Sequence, residues 1–169
     1  MDIVAKKPKR NIQKYDRYCT VSIDQIVPLI LAAGAITRDK PKFEINGVSV
    51  RLGSLRLQTF AKKGTVCKCC GLKATHFAIE RDMVSVSVDG PYHLNMWGVD
   101  EQNEEVLFTH DHTHARGLGG RDVLDNSETM CCFCNWEKGV QEQILAAELT
   151  RAKHKAAKEA KAARLTKAK

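Results

Sequence analysis

The amino-acid sequence predicts an α+β fold, on three observations. Ile26, Leu29, Ile30 and Ala33 recur at the spacing that puts apolar groups on one face of a helix. Phe43 and Ile45, then Val48 and Val50, alternate with polar residues on either side of Asn46-Gly47, a strong signal for a tight hairpin. Val106-Leu107-Phe108 form a short apolar run ahead of a histidine-rich stretch, and helix-forming residues continue without proline from Glu137 to Leu149.

Taken in order, residues 1–19 read as a flexible basic arm, since Lys6, Lys7, Lys9, Arg10, Lys14 and Arg17 come with almost no hydrophobic pattern. Such an arm serves either as a solvated tail or as a nucleic-acid contact. Residues 20–64 read as a small α+β module. Its first helix is expected to start at an Asp24 cap and stop at Gly34, the hairpin follows, and Ser54 is expected to cap a second helix carrying Leu55, Leu57 and Phe60 toward Gly64. From Met83 the alternation of Val84, Val86 and Val88 predicts a strand, and after Asp89-Gly90-Pro91 the segment Tyr92 to Trp97 predicts its return. Val106-Leu107-Phe108 then leads directly into Asp111-His112. Val140, Ile144, Ala147 and Leu149 give the helix after Cys134 a partial apolar face. These last elements belong to a unit drawn at 65–149, and residues 150–169 form an Ala/Lys-rich basic helix or frayed tail.

The net charge of +7 and pI near 9.1 favour a polyanionic partner, because lysine and arginine gain affinity for a phosphate backbone by releasing counterions. Seven cysteines would suit a secreted disulfide scaffold, but the basic, polar start of the chain is no signal peptide, so reduced thiols and a cytoplasmic location are expected. The longest apolar run, Ile26 to Ile36, contains Pro28 and Gly34 and falls short of the roughly 18 residues a membrane span needs.

Cys67-x-x-Cys70 and Cys131-x-x-Cys134 are two knuckles with the spacing that lets thiolates share one tetrahedral Zn²⁺. The sequence between them has few large apolar residues, so bound zinc would add folding free energy that a thin core lacks. Competing pairings through Cys69 and Cys132 break the two-residue gap at each end, so these two and Cys19 read as small buried or spare thiols. His76 and His93 lie between the knuckles as substitute ligands or as ordinary structural histidines.

The stretch from Thr109 to Gly139 concentrates the chemistry. Asp111 and Asn135 offer hard oxygen ligands for a divalent cation, and His112 has the pKa range of a general base near neutrality. Together they point to metal-assisted phosphodiester hydrolysis. His110 and His114 flank His112 and are candidates to share metal binding or proton transfer. Arg116, Arg121 and Lys138 are candidate phosphate contacts, or solvated loop charges.

In order and spacing, Asp111-His112, Gly119-Gly120, Asn126, Cys131-Cys132-Phe133-Cys134-Asn135 and Lys138-Gly139 resemble the motif of the HNH endonuclease family, and Arg116 to Gly120 is similar to its small phage-encoded versions. The resemblance covers about Cys67 to Gly139, less than half of the chain. It implies a ββα-metal core with a treble-clef-like tetracysteine zinc site, and a metal-dependent DNA endonuclease. By position, His112 would deprotonate water, Asp111 and Asn135 would hold one Mg²⁺ or Mn²⁺, and Asn126 would brace the loop and orient His112. The products would carry 5′-phosphate and 3′-hydroxyl ends, and the substrate would be double-stranded DNA, nicked or cut through. Homing, host-directed and DNA-processing roles all fit. The alternative is a noncatalytic nucleic-acid-binding zinc protein.

Overall fold

Strand β1 (Tyr15–Ser22) turns directly into helix α1 (Ile23–Ala32) through a capping box: Ser22 Oγ accepts from the Gln25 amide at 3.3 Å, and Gln25 Oε1 accepts from the Ser22 amide at 3.4 Å. The cap is therefore Ser22. Asp24, expected in that role, sits in the first turn, where its carboxylate still favours the helix N-terminus. This is a computed structural model, and it describes residues 15–34, 42–83 and 91–167, with side chains through Glu159. α1 buries Ile26 and Ile30, with Ile23 and Val27 packed beside them, whereas Leu29 is 37% exposed. The inward face is thus rotated by about one residue from the stripe drawn through Leu29. Pro28 lies inside the helix and leaves it without one backbone donor.

Strands β2 (Lys42–Ile45) and β3 (Val48–Arg51) pair antiparallel across Asn46-Gly47, whose φ values of 51° and 78° are both in the left-handed region that a type I′ turn needs. Helix α2 (Leu55–Lys63) begins at Ser54, whose Oγ accepts from the Leu57 amide at 3.2 Å. Its apolar spacing is irregular because the helix is buried on more than one side. Leu55, Leu57 and Phe60 are buried, and so are Gln58 and Thr59, which bond to the carbonyls of Ile30 and Leu55 at 2.8 Å each.

Strands β4 (Ala74–Asp82), β5 (His93–Val99), β6 (Glu105–His112) and β7 (Ser127–Cys131) join β1 in one antiparallel sheet of order β1-β4-β5-β6-β7, and helix α3 (Cys132–Lys167) follows β7 without a break. The strand expected over Val84–Val88 lies outside the described residues. β4, immediately before it, was not anticipated. The C-terminal segment, left open as helix or frayed tail, is helical through Lys167.

One core spans both halves of the chain. Val21, Ile26, Ile30, Phe60, Phe77, Met96, Phe108 and Met130 belong to a single buried cluster that also takes in Cys67 and Cys134, so residues from both sides of position 64 contribute to it. Tyr15 to Cys19, expected in the arm, pair with β4 as part of β1. The reason is chemical. Arg17 donates to the fully buried Glu80 at 2.6 Å, bonds Glu105 at 2.7 Å and stacks over Trp97, so a basic residue that reads as solvated is instead an anchor. Glu80 also accepts from Asn95 Nδ2 and Trp97 Nε1 at 2.8 and 3.2 Å, and Arg56 donates to Asn95 Oδ1 at 2.8 Å. Among the described residues no helix is long and apolar enough to cross a membrane.

Candidate active site and cysteine cluster

The two knuckles meet beside the last strand. Cys67 lies in a turn closed by bonds from the Cys67 amide to the Leu72 carbonyl at 2.8 Å and from the Gly71 amide to the Cys67 carbonyl at 3.0 Å; the Lys68 amide ties this turn to Thr129 of β7 at 2.9 Å. The second pair begins at the end of β7 and enters α3. The ligand sulfurs of Cys67, Cys70, Cys131 and Cys134 all lie within 4.8 Å of one another, and Cys70 and Cys131 Sγ are 3.8 Å apart.

Burial alone would raise the Cys67 thiol, but the amides of Cys70, Cys131 and Cys69 outweigh it and bring the group down to about 7, whereas burial pushes Cys131 up to about 12 and also raises Cys134. Four sulfurs at this separation, three of them buried, suit a tetrahedral Zn²⁺ that would hold all of them as thiolates. Cys69 is exposed, and Cys19 and Cys132 are half-buried, outside the cluster. His76 and His93 also stand outside it, on β4 and β5.

β6, a loop, β7 and α3 follow one another as strand, loop, strand and helix, and the remaining polar groups collect at the C-terminal end of β6. Successive side chains of a strand point to opposite faces. On one side, Thr109 and Asp111 meet α3: Asn135 Nδ2 donates to Thr109 Oγ1 at 2.8 Å and to the His110 carbonyl at 3.5 Å, while Lys138 Nζ donates to Asp111 Oδ2 and to the His112 carbonyl. Because the amide group of Asn135 is committed, its Oδ1 is the atom left for another partner. Lys138, a candidate phosphate contact, is engaged instead by Asp111 and by Glu142 at 3.3 Å; burial disfavours its charge, but the bond and charge of Asp111 outweigh this and raise its pKa.

On the other side, His110 and His112 stand with ring centroids 5.3 Å apart. His112 Nε2 lies 2.8 Å from Asp122 Oδ1, a residue the sequence reading did not single out. The bond from His112 is the main reason the Asp122 carboxyl is held below its ordinary pKa, although Asp122 is largely exposed. An ionised carboxylate only accepts, so Nε2 carries a proton, and in the neutral form of the ring the lone pair is on Nδ1. His110 is pushed down, first by burial and then by the charges of His112 and Arg56.

The loop that delivers Asp122 is closed by Asn126. Its Oδ1 accepts from Thr113 Oγ1 and the His114 amide, both at 2.8 Å, and its Nδ2 donates to the carbonyls of His114 and Arg121 at 3.0 and 2.8 Å. Asn126 therefore holds the backbone on both sides of the loop, and the direct partner of the His112 ring is Asp122. Gly119 has φ 96°, and a side chain on Gly120 would collide with the His114 carbonyl, so the loop needs both glycines. Arg116 and Arg121 are exposed on this loop, as is His114. Asp122 carries no sequence signal of its own, since only loop closure brings it to His112. For His110 the signal was there: a His-x-His pair on a strand places both rings on one face.

No protein-family model matches this chain, and neither a curated protein nor a solved structure matches it.

Proposed function

We propose that this chain is a metal-dependent endonuclease that hydrolyses DNA phosphodiester bonds, with His112 as the general base. The observation that carries this reading is the 2.8 Å bond between His112 and Asp122. It fixes the ring so that Nδ1 is free to take a proton from a water attacking phosphorus, and a histidine oriented by a carboxylate has the form of a general base rather than of a purely structural residue. Asp111 and Asn135 Oδ1 supply the hard oxygen donors suited to one Mg²⁺ or Mn²⁺, with Lys138 withdrawing from Asp111 to admit it. Such a cation would supply charge neutralisation at the scissile phosphate and the leaving oxygen. Asn126 holds the loop that carries Asp122, and Arg116 and Arg121 stand exposed on that loop to meet neighbouring phosphates.

A Zn²⁺ on Cys67, Cys70, Cys131 and Cys134 would pin the first knuckle to the start of α3, and so fix Asn135 relative to β6. Double-stranded DNA is the substrate this reading favours. The exposed Arg151, Lys153, Lys155 and Lys158 along α3 give a basic rod that would follow a phosphate backbone. The decisive experiment is cleavage of supercoiled plasmid at low salt with Mg²⁺ or Mn²⁺, comparing wild type and His112→Ala at equal zinc content. Nicked or linear product from wild type alone supports the reading. One observation favours the second reading, a noncatalytic nucleic-acid-binding zinc protein: the Lys138 ammonium occupies Asp111 Oδ2, an oxygen that a divalent cation would need. Equal plasmid binding by both proteins with no cutting under either metal would select that alternative.

A further inference from the structure

We infer that His110, His112 and Asp122 form a second metal site, distinct from the tetracysteine cluster and from the Asp111/Asn135 pair, that takes one Zn²⁺-class cation and silences His112 when filled. Their ligand atoms all lie within 4.8 Å of one another. A tetrahedral ion bound at about 2.1 Å sets its ligands roughly 3.4 Å apart, so the His112–Asp122 pair, now at 2.8 Å, must open by roughly half an ångström and no other pair has to close by more than about 1.5 Å. Asp122, with 61% of its side chain exposed on the loop, has the freedom to make that movement. The two histidines are already placed by β6, which projects residues two apart onto one face. Two imidazoles and one carboxylate select zinc, cobalt or nickel over Mg²⁺, which prefers oxygen ligands and sheds its waters reluctantly. Three protein ligands leave a fourth position open to water.

The consequence for His112 follows from which nitrogen faces Asp122. It is Nε2 that lies 2.8 Å from the carboxylate, so a cation seated between them binds Nε2, and the ring keeps its single proton on Nδ1 instead. Nδ1–H cannot accept a proton from water. This regulatory half rests on the nuclease reading; the metal site itself does not.

The test uses the full chain carrying one zinc per chain, verified by elemental analysis, titrated calorimetrically with Zn²⁺ and separately with Mg²⁺, while the imidazole NMR signals are followed. Wild type is expected to take up one further Zn²⁺ with shifts of the His110 and His112 ring signals, and no Mg²⁺ at this position. His110→Ala and Asp122→Ala are each expected to weaken the second zinc by roughly tenfold or more. Failure of wild type to bind a second zinc, or unchanged uptake in both variants with unshifted rings, overturns the site. In Mg²⁺-driven plasmid cleavage, added zinc is expected to slow wild type, and His110→Ala to need about tenfold more zinc for the same fractional slowing. Cleavage that persists while NMR reports the second zinc bound overturns the regulatory half alone. Absence of cleavage in zinc-limited wild type defeats the nuclease reading, and calorimetry still decides the metal site.

Discussion

Asp122 reaches back ten residues to hold His112 Nε2 at 2.8 Å, although its own side chain is 61% exposed. An exposed residue contributes little to stability, so a carboxylate fixed there is better explained by what it does to the imidazole. Asp122→Asn is expected to leave the melting temperature within about a degree of wild type, since exposed polar swaps usually cost under about 0.5 kcal/mol. Plasmid nicking should nevertheless fall by about ten- to a hundredfold, less than the roughly 10²- to 10⁴-fold loss expected for His112→Ala. A nicking rate equal to wild type would remove Asp122 from the mechanism.

Asn126 uses both ends of its amide to tie Thr113, His114 and Arg121 together. Asn126→Ala deletes four bonds at once in a partly solvated position, for a stability loss of about 1–3 kcal/mol. The larger effect should be on cleavage, because Asp122 rides on the loop that these bonds close. Hydrogen exchange at the His114 amide, which donates to Asn126 Oδ1, should speed up by at least tenfold; unchanged protection would show that the loop is held by something else.

The local elements were legible wherever one short-range rule decides them. Asn46-Gly47 is a turn because few other dipeptides tolerate two positive φ values, and Ser54 caps α2 through its own side chain. β4 escaped because both of its faces are covered: Phe77 and Ile79 enter the main core, but Ala78 and Glu80 are equally buried on the other side. A strand buried on both faces loses the alternation that identifies it. Arg17 misled for a related reason, since its partner Glu80 is 63 residues away. In the candidate site, the groups carried by β6 and α3 could be read from spacing, whereas Asp122 depends on how a loop of unpredictable path closes.

Zinc removal should unfold more than the knuckles. Cys67 and Cys134 belong to the same buried cluster as Phe77 and Phe108, so a zinc ion held by the cysteines would form one cooperative unit with the core. Chelation, or Cys67→Ser, is expected to lower the melting temperature by about 8–16 °C, because free zinc at a thousand times its dissociation constant contributes about 4 kcal/mol and each kcal/mol shifts a chain of this size by about 2–4 °C. Calorimetric melts with and without chelator check this; coincident melts would mean that the cysteines hold no structural metal.

The sheet also carries a pH dependence. His76 and His93 are both pushed below 6.5, in each case first by burial; His93 is further opposed by Arg56, with Glu80 and Asp82 acting the other way, and His76 by Arg17 against Glu105 and Glu80. A depressed folded-state value means that the unfolded chain binds the proton first. Their contribution to stability is therefore complete above pH 6.5 and lost as the pH falls through the lower folded values. Denaturant midpoints should drop between pH 7 and pH 5 in wild type and drop less in His93→Gln, and parallel curves for the two proteins would contradict this.

Glu80 supplies the most demanding test of the sheet's second face. It is fully buried, and its two carboxylate oxygens accept from Arg17, Asn95 and Trp97, three groups on two neighbouring strands. Glu80→Ala would leave the Arg17 guanidinium beside an emptied cavity with Glu105 as its remaining carboxylate partner, and would take the acceptor from the Asn95 and Trp97 donors. Removing one partner of a buried ion pair costs about 3–5 kcal/mol, far more than the pair is worth against an apolar replacement. Glu80→Gln keeps an oxygen for one donor and should fall between. Replacing Arg17 and Glu80 together, with Met and Leu, should recover at least half of the loss measured for Glu80→Ala, because the buried pair is then removed together while Glu105 keeps solvent and His76. Additive losses in the double variant would show that Arg17 and Glu80 act independently of one another.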